Sequence, residues 1–566
     1  SITMLLTKLN KEFNYLFLII LLLFAVILGG YVNITSSPSS PFMYDENDVL
    51  LFSQNYLKTG RLIYSNDITS LNKEFEYPIA SLKYSIWSEK VNASVPPAPL
   101  GNYLLTAFSL LIFQKYFHLL NLLFFIFAGV IFAYFTNNTI RYLGYNFNKY
   151  IVISVSLILF LSFFPFILWA NTWIGAISAL FFFVLFLYLI IQYLKNRYYP
   201  LLVLSGLIGG LASFCRYEYL LFVLPVFISI AFFKKEGFKK IVIPIIFFLS
   251  FFIVVLAFNY YWFGNFFSFG ISQRNHILPI FNVDMLTEAR MKDLSVIDAF
   301  LKIVLTKFLD FDISNLIDNI KTFLIKTFPI YFLLSIIGFI SILKSPKLYK
   351  PKKSLYLLPT VIAVIIWIYY VYVGDFWGKT NPDWIVGTYF RYSFPVYVGM
   401  LFFVVFSILY INNKKYSLKY FVPVIIIYLL VINLSYLFNT SFGLDEVASQ
   451  KTEAYNINNH LRNLTEENAL IWAPHYELFI TTRNVLSPWY IIEPKELVLE
   501  KVLNYTYILL NKGYHIYYIS SEWHRATYLG LDKAFKNDNR FNIELLKGTN
   551  GKRYLKYDIY KITLVP

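Results

Sequence analysis

Cysteine occurs once in the 566 residues, at Cys215, so no disulfide forms within the chain. Charge is also scarce. Asp, Glu, Lys and Arg make up 14% of the residues and hydrophobic types 58%, a balance that excludes a soluble chain of this length. Acids are the scarcer sign, 33 against 49 Lys and Arg, for a net charge of +16. That surplus is no nucleic-acid signature, because the basic residues fall in short clusters between apolar runs. No small-residue cleavage site follows the first apolar run, which reads as an anchor and not as a removable signal. His276, His475, His515 and His524 are scattered, with no metal-ligand spacing, and supply no zinc site.

What is present is apolar sequence in blocks long enough to span a bilayer, which takes roughly 20 residues per helix. Candidate spans are 13–34, 117–136, 150–169, 172–193, 200–215, 217–233, 241–263, 322–343, 354–374, 393–411 and 420–438, eleven in all. The run 100–113 is apolar but short. If it does not cross, then Lys8 and Lys11, Arg141 and Lys149, Lys195 and Arg197, Lys234 to Lys240, Lys344 to Lys353, and Lys414 to Lys419 all share one side. The positive-inside rule favours that arrangement and places the N-terminus in the cytoplasm. Residues 100–113 then read as a helix lying at the outer interface.

This topology gathers the polar candidates on the outer side. Tyr44-Asp45-Glu46-Asn47-Asp48 follows the first span, after a Ser- and Pro-rich string (Ser36 to Pro41) that cannot continue a helix. Its carboxylates are expected in a loop where a span ends, and acids beside lipid are costly to desolvate. The Arg216-Tyr217-Glu218 turn, Asn171, and the loops 264–321 and 375–392 fall on the same side. So does the C-terminus. The stretch Met285 to Phe308 is amphipathic and suits a helix on the membrane surface or one packed on the C-terminal domain.

Beyond residue 439 the composition becomes mixed and charged. Strand-like runs at Ala469–Ala473, His515–Ser520 and Tyr557–Leu564 alternate with helix-like Glu446–Leu464, Pro494–Lys512 and Ser521–Lys536. Residues 440–566 are expected to form a small extracytoplasmic α/β domain after a transmembrane domain over 1–439. Neither a G-x-G-x-x-G nor a P-loop is present there, so the domain shows no nucleotide site.

Four motifs carry a resemblance. Asp45-Glu46 follows the first span and leads through an amphipathic run to Lys58-Thr59-Gly60-Arg61-Leu62-Ile63-Tyr64. Pro96-Pro97-Ala98-Pro99-Leu100-Gly101-Asn102-Tyr103 stands before the next span, Arg216-Tyr217-Glu218 at a membrane edge, and Arg391-Tyr392 with Pro395 late in the chain. In order and sidedness these resemble the GT-C glycosyltransferases, the class that includes protein O-mannosyltransferases and lipid A aminoarabinose transferases. The resemblance covers about residues 1–440. It implies a polytopic helical GT-C-like enzyme that moves one sugar, with inversion, from a polyprenyl-phosphate donor to a protein, glycan or lipid acceptor. Two departures stand out. Many relatives carry an acid where Asn171 stands here, and no Trp-Trp-Asp-Tyr-Gly motif occurs, so the sequence does not resemble an oligosaccharyltransferase.

The resemblance implies roles for particular side chains. Asp45 is the expected general base toward the acceptor hydroxyl. Glu46 would orient it, bind acceptor hydroxyls or help hold a divalent cation (Mg2+ or Mn2+). Arg216 and Arg391 suit bidentate pairing with the departing phosphate, with Lys379 as an added point charge. Tyr44, Asn47, Asp48, Asn171, Tyr217, Glu218 and Tyr392 would line the substrate pocket. Two other readings compete. A transporter or flippase of lipid-linked glycans requires ionisable residues deep within spans and an internal repeat, and the sequence shows neither. A non-catalytic GT-C-like scaffold is the other.

Overall fold

Long runs of Leu, Ile, Val and Phe leave the backbone no partner but itself in an apolar solvent, and helices result. The computed structural model describes residues 21–35, 44–63, 86–88, 90–96, 99–172, 175–233, 237–264, 328–344, 391, 393–414, 421–439, 443–473, 483–486, 495–521, 530–548 and 557–566. Lys379, Tyr392, the expected span 354–374 and the amphipathic stretch 285–308 lie outside the described residues.

The first helices are α1 (residues 21–29), α2 (Tyr31–Thr35), α3 (Tyr44–Thr59) and α4 (Leu100–Phe113). A short antiparallel hairpin, Ile86–Ser88 with Ala93–Val95, precedes α4. Then follow α5 (Leu119–Tyr142), α6 (Lys149–Leu161), α7 (Phe164–Ala170), α8 (Ala176–Asn196), α9 (Tyr199–Cys215), α10 (Leu220–Phe233) and α11 (Gly237–Phe263). After these come α12 (Pro329–Leu343), α13 (Phe394–Lys414), α14 (Phe421–Asn439) and α15 (Leu444–Leu464). Among the described residues four helices are long and apolar enough to cross a membrane: α5, α8, and most of α11 and α13. The pair α6 and α7, bent by 61°, makes a fifth. The outer faces of α1, α11 and α14 leave Leu23, Ile27, Ile246, Ile253, Val424 and Ile427 exposed, a surface that lipid solvates and water does not.

The run 150–169, which reads as one span in the sequence, is two helices. Pro165 sits in the first turn of α7, where its missing N–H is harmless, and the chain turns at Ser162 and Phe163. The N–H of Phe164 is taken up by Asn433 of α14, whose Oδ1 accepts it at 3.0 Å. The same buried amide donates to the Tyr331 hydroxyl at 2.6 Å and the Leu429 carbonyl at 2.9 Å. A single Asn in an apolar helix thus stabilises a break in another.

After α15 the chain forms a five-stranded sheet, ordered β4-β3-β5-β7-β6 once the first hairpin is counted as β1 and β2. The strands are β3 (Leu470–Trp472), β4 (Asn484–Leu486), β5 (Ile516–Ser521), β6 (Phe541–Gly548) and β7 (Tyr557–Leu564). β3 runs parallel to β4 and β5, and β7 runs antiparallel to β5 and β6. The sequence shows β3, β5 and β7 through their apolar runs. β4 is as short as β3 but follows Thr481-Thr482-Arg483 and so lacks a flanking apolar run, and β6 is an edge strand whose exposed Glu544 and Leu545 blur the alternation. The helix read over Ser521–Lys536 is confined, among the described residues, to Leu531–Asn537.

On α15, Glu453 is half-buried. Burial first, and then the neighbouring Glu446 carboxylate, push its pKa up to about 8. The folded protein therefore holds a proton that the unfolded chain releases. Stability is full below about pH 4.5 and falls as pH rises to about 8. Glu453→Gln is expected to stabilise the protein by about 1–2 kcal/mol above that window, after discounting for partial exposure. Thermal melts of both proteins should coincide at the acid end and separate at the alkaline end. Parallel melts across the range would show that Glu453 is not protonated at neutral pH.

Candidate functional site

Asp45 and Glu46 lie in the first turn of α3, not in a loop as the sequence reading had it. Acids are favoured there because the first turn of a helix leaves backbone N–H groups unpaired and carries the positive end of its dipole. For residues 44–47 the backbone alone is described. Asp48, next in the same helix, is buried.

α3 packs on α4. Ser53 Oγ donates to the Tyr103 carbonyl at 2.8 Å, and Phe52 meets Tyr103 edge-on at 5.7 Å. α4 is a helix, as expected, with Leu100, Asn102, Tyr103 and Thr106 buried and Phe108, Leu111 and Ile112 exposed. Its first turn touches the end of α9 so closely that a Cβ at Gly101 would stand 2.7 Å from the Phe214 carbonyl oxygen. Only glycine fits that approach. At Arg216 the backbone extends, and a 3-10 turn, Tyr217–Tyr219, leads into α10. Arg216 is buried and Glu218 partly so, and Arg216 Nε donates to Glu218 Oε1. The Tyr217 hydroxyl reaches the backbone of Leu100. Val49 and Phe52 of α3, Leu100 and Tyr103 of α4, and Phe214 of α9 share one buried cluster. Three of the four sequence motifs are therefore in contact.

Arg391 and Asn171 belong to a second group. The Arg391 guanidinium stands 5.1 Å over the indole of Trp169, and both side chains are buried. Asn171 follows α7 and is fully buried. Its Oδ1 accepts the Val32 N–H at 3.0 Å, and its Nδ2 donates to the carbonyls of Leu28 and Ile167, each at 2.9 Å. Read from the sequence as a pocket residue, Asn171 ties the end of the first helix to α7.

Between the two groups lies a polar cavity of about 20 Å³, room for a water or a hydroxyl group. Asn102, Thr106 and Ser109 of α4, His118 and Asn121 at the start of α5, and Ser178 of α8 line it. Asn121 donates to the Thr172 carbonyl, beside Asn171. Ser178 stands within hydrogen-bonding reach of the Cys215 thiol, beside Arg216. Asn102 Oδ1 and His118 Nδ1 are buried with no hydrogen-bond partner among the described residues. His118 immediately precedes α5. Arg391 is not among the described lining residues. The sequence reading missed this cavity, although Asn102, Thr106 and Ser109 recur at helical spacing on one face of an apolar run. Among the described residues no three His, Cys, Asp or Glu side chains gather as metal ligands.

No family model and no curated protein matches the sequence. Solved structures do match. The archaeal oligosaccharyltransferase AglB from Archaeoglobus fulgidus, in complex with an inhibitory peptide and a dolichol-phosphate, is 12% identical, with a TM-score of 0.51 over 95% of this chain and 73% of that one. The Archaeoglobus fulgidus oligosaccharyltransferase tethered to an acceptor peptide is likewise 12% identical, with a TM-score of 0.51 over 96% and 74%. ArnT from Cupriavidus metallidurans in the apo state is 10% identical, with a TM-score of 0.46 over 98% of each chain. The absence of a Trp-Trp-Asp-Tyr-Gly motif bears on local chemistry and is compatible with this shared fold. A five-residue motif reports local chemistry, whereas span packing sets the overlay. At this identity the likeness is one of fold, and that fold is the GT-C fold.

Proposed function

We propose that the protein is a membrane glycosyltransferase that moves a single sugar from a polyprenyl-phosphate donor, dolichyl-phosphate-like, to a protein, glycan or lipid acceptor on the extracytoplasmic face, with inversion. The observation that carries this reading is the meeting of α3, the Pro99-Leu100-Gly101 turn and Arg216-Tyr217-Glu218 in one buried cluster. The dolichol-phosphate and the acceptor peptide in the oligosaccharyltransferase structures of the same fold support it.

In this reading Asp45, at the start of α3, takes the acceptor hydroxyl's proton as that oxygen attacks the anomeric carbon. Glu46, about 100° around the helix, takes a separate part and orients acceptor or base. The bond from the anomeric carbon to the phosphate oxygen breaks, and the phosphate leaves with the lipid. Arg216, its guanidinium oriented by Glu218, meets that charge together with Arg391 and Lys379. Tyr44, Asn47, Asp48, Tyr217 and Tyr392 shape the pocket, and Asn171 holds its wall in place. The C-terminal sheet stands on the same extracytoplasmic side.

Deleting the gene and comparing surface glycans and lipid-linked intermediates by mass spectrometry tests the proposal. Glycans short by one sugar, with the sugar-phosphate lipid accumulating, are expected. Unchanged glycans and lipids would overturn it.

A further inference from the structure

Several polar side chains of the cavity between α4, α5 and α8 are engaged by the fold itself. Ser109 Oγ donates to the Phe117 carbonyl, Asn121 Nδ2 to the Thr172 carbonyl, and Ser178 Oγ to the Gly175 carbonyl at 3.0 Å. Two lining groups differ. Asn102 Oδ1 and His118 Nδ1 are met by no described residue, although Asn102 is only 4% exposed and His118 8%. A buried polar atom without a partner is costly, so a fold keeps one where something else answers it. Glycines set the carboxamide in this place. A Cβ at Gly175, itself a lining residue, would stand 1.6 Å from Asn102 Oδ1, and Gly101 gives the neighbouring turn its close approach to the backbone of Phe214 and Cys215.

The lining selects the chemistry of an occupant. Among the described lining residues none is an acid, a lysine or an arginine, so a phosphate, carboxylate or ammonium would find no counter-charge. A volume of about 20 Å³ takes a single oxygen and its proton. A hydroxyl answers both open groups, since it donates to Asn102 Oδ1 and accepts from His118 when Nδ1 carries the ring proton. The surroundings point to what bears that hydroxyl. Leu105 and Leu120 line the cavity and are only partly buried, and Phe108, Leu111 and Ile112 of α4 are exposed. An apolar face suited to a lipid chain thus runs beside the cavity. On the other side the turn at Gly101 packs on Phe214 and Cys215, directly before Arg216.

We propose that this cavity is a subsite for one hydroxyl of the donor's sugar, bound by Asn102 and His118, and that the sugar is therefore uncharged at that position. The inference rests on the transferase reading. A sugar joined through phosphate to a lipid has an apolar chain, an anionic link and neutral hydroxyls, and the exposed face of α4, Arg216 and the cavity match these three parts in turn. Selection then comes from polar pairing: a donor with hydrogen in place of that hydroxyl leaves both buried groups unmet and is rejected.

The test uses the full chain in nanodiscs, with binding read by native mass spectrometry. Undecaprenyl phosphate, undecaprenyl phosphomannose and undecaprenyl phosphoglucose are the probes. The wild type is expected to bind at least one sugar-bearing lipid more tightly than the bare phosphate. Asn102→Leu keeps the size of the side chain and removes the acceptor. It should cut that preference about tenfold and leave binding of undecaprenyl phosphate unchanged. His118→Leu should act alike, and His118→Asn, which keeps an N–H near the place of Nδ1, should restore most of the preference. If Asn102→Leu fails to fold, the two His118 variants carry the test. A preference unchanged in the variants, or an equal loss for bare and sugar-bearing lipids, would overturn the subsite and make the cavity a place for structural water. A wild type that binds undecaprenyl phosphate but prefers neither sugar-bearing lipid would overturn the subsite and leave the transferase reading standing. A wild type that binds none of the three would overturn both.

Discussion

Asp45→Asn is expected to lower sugar transfer by about 10²- to 10⁴-fold, the usual contribution of a positioned general base. The substitution keeps size and shape and removes the proton acceptor. α3 packs on its neighbours through residues further along the helix. That packing rests on Val49, Phe52 and Ser53, of which Ser53 is bonded to the Tyr103 carbonyl. Expression and thermal midpoint should therefore match the wild type, as should undecaprenyl phosphate binding, and the whole loss should appear in kcat. Single-turnover release of polyprenyl phosphate from a labelled donor measures this directly. A fall of less than tenfold with an intact donor site would move the base to another carboxylate, with Asp48 the first to examine. It is buried and follows Asn47 directly in α3.

The second large effect is on stability. Asn171→Asp is expected to destabilise the folded protein by about 2–4 kcal/mol. In this chain the amide donates two hydrogen bonds, to the carbonyls of Leu28 and Ile167 at 2.9 Å. A carboxylate has no proton for either, and it would set a buried negative charge against two carbonyl oxygens. Asn171→Ala removes the same bonds without adding the charge and should cost less. Thermal melting in detergent, followed by size-exclusion chromatography, separates the two. A melting temperature for Asn171→Asp equal to the wild type would mean that the carbonyls find other donors and that Asn171 is no structural tie.

These two residues also show where sequence reasoning reached and where it stopped. Asp45 stands out in the sequence because its signal is local: acids in a chain poor in acids, directly after an apolar run. The same stretch was misread as a loop, because the Ser- and Pro-rich string before it masks that a helix begins at Tyr44. Asn171 was legible only as a departure from a pattern. Its function is set by Leu28 and Val32, more than a hundred positions away, and no spacing encodes that meeting.

By itself the sequence determined the solvent and the elements. Uninterrupted apolar runs require helices and lipid, and alternating runs after residue 439 require a sheet, because both follow from the backbone's need for partners over a few residues. Only the tertiary structure decided which polar groups meet. It broke the span at Ser162 and Phe163 and placed Asn433 to accept the freed N–H. It brought the Pro99-Leu100-Gly101 turn onto the end of α9 and tied Asn171 to Leu28 and Val32. Those outcomes depend on contacts between residues far apart in the chain, where burial makes each unpaired polar group costly and so leaves few arrangements that satisfy all of them.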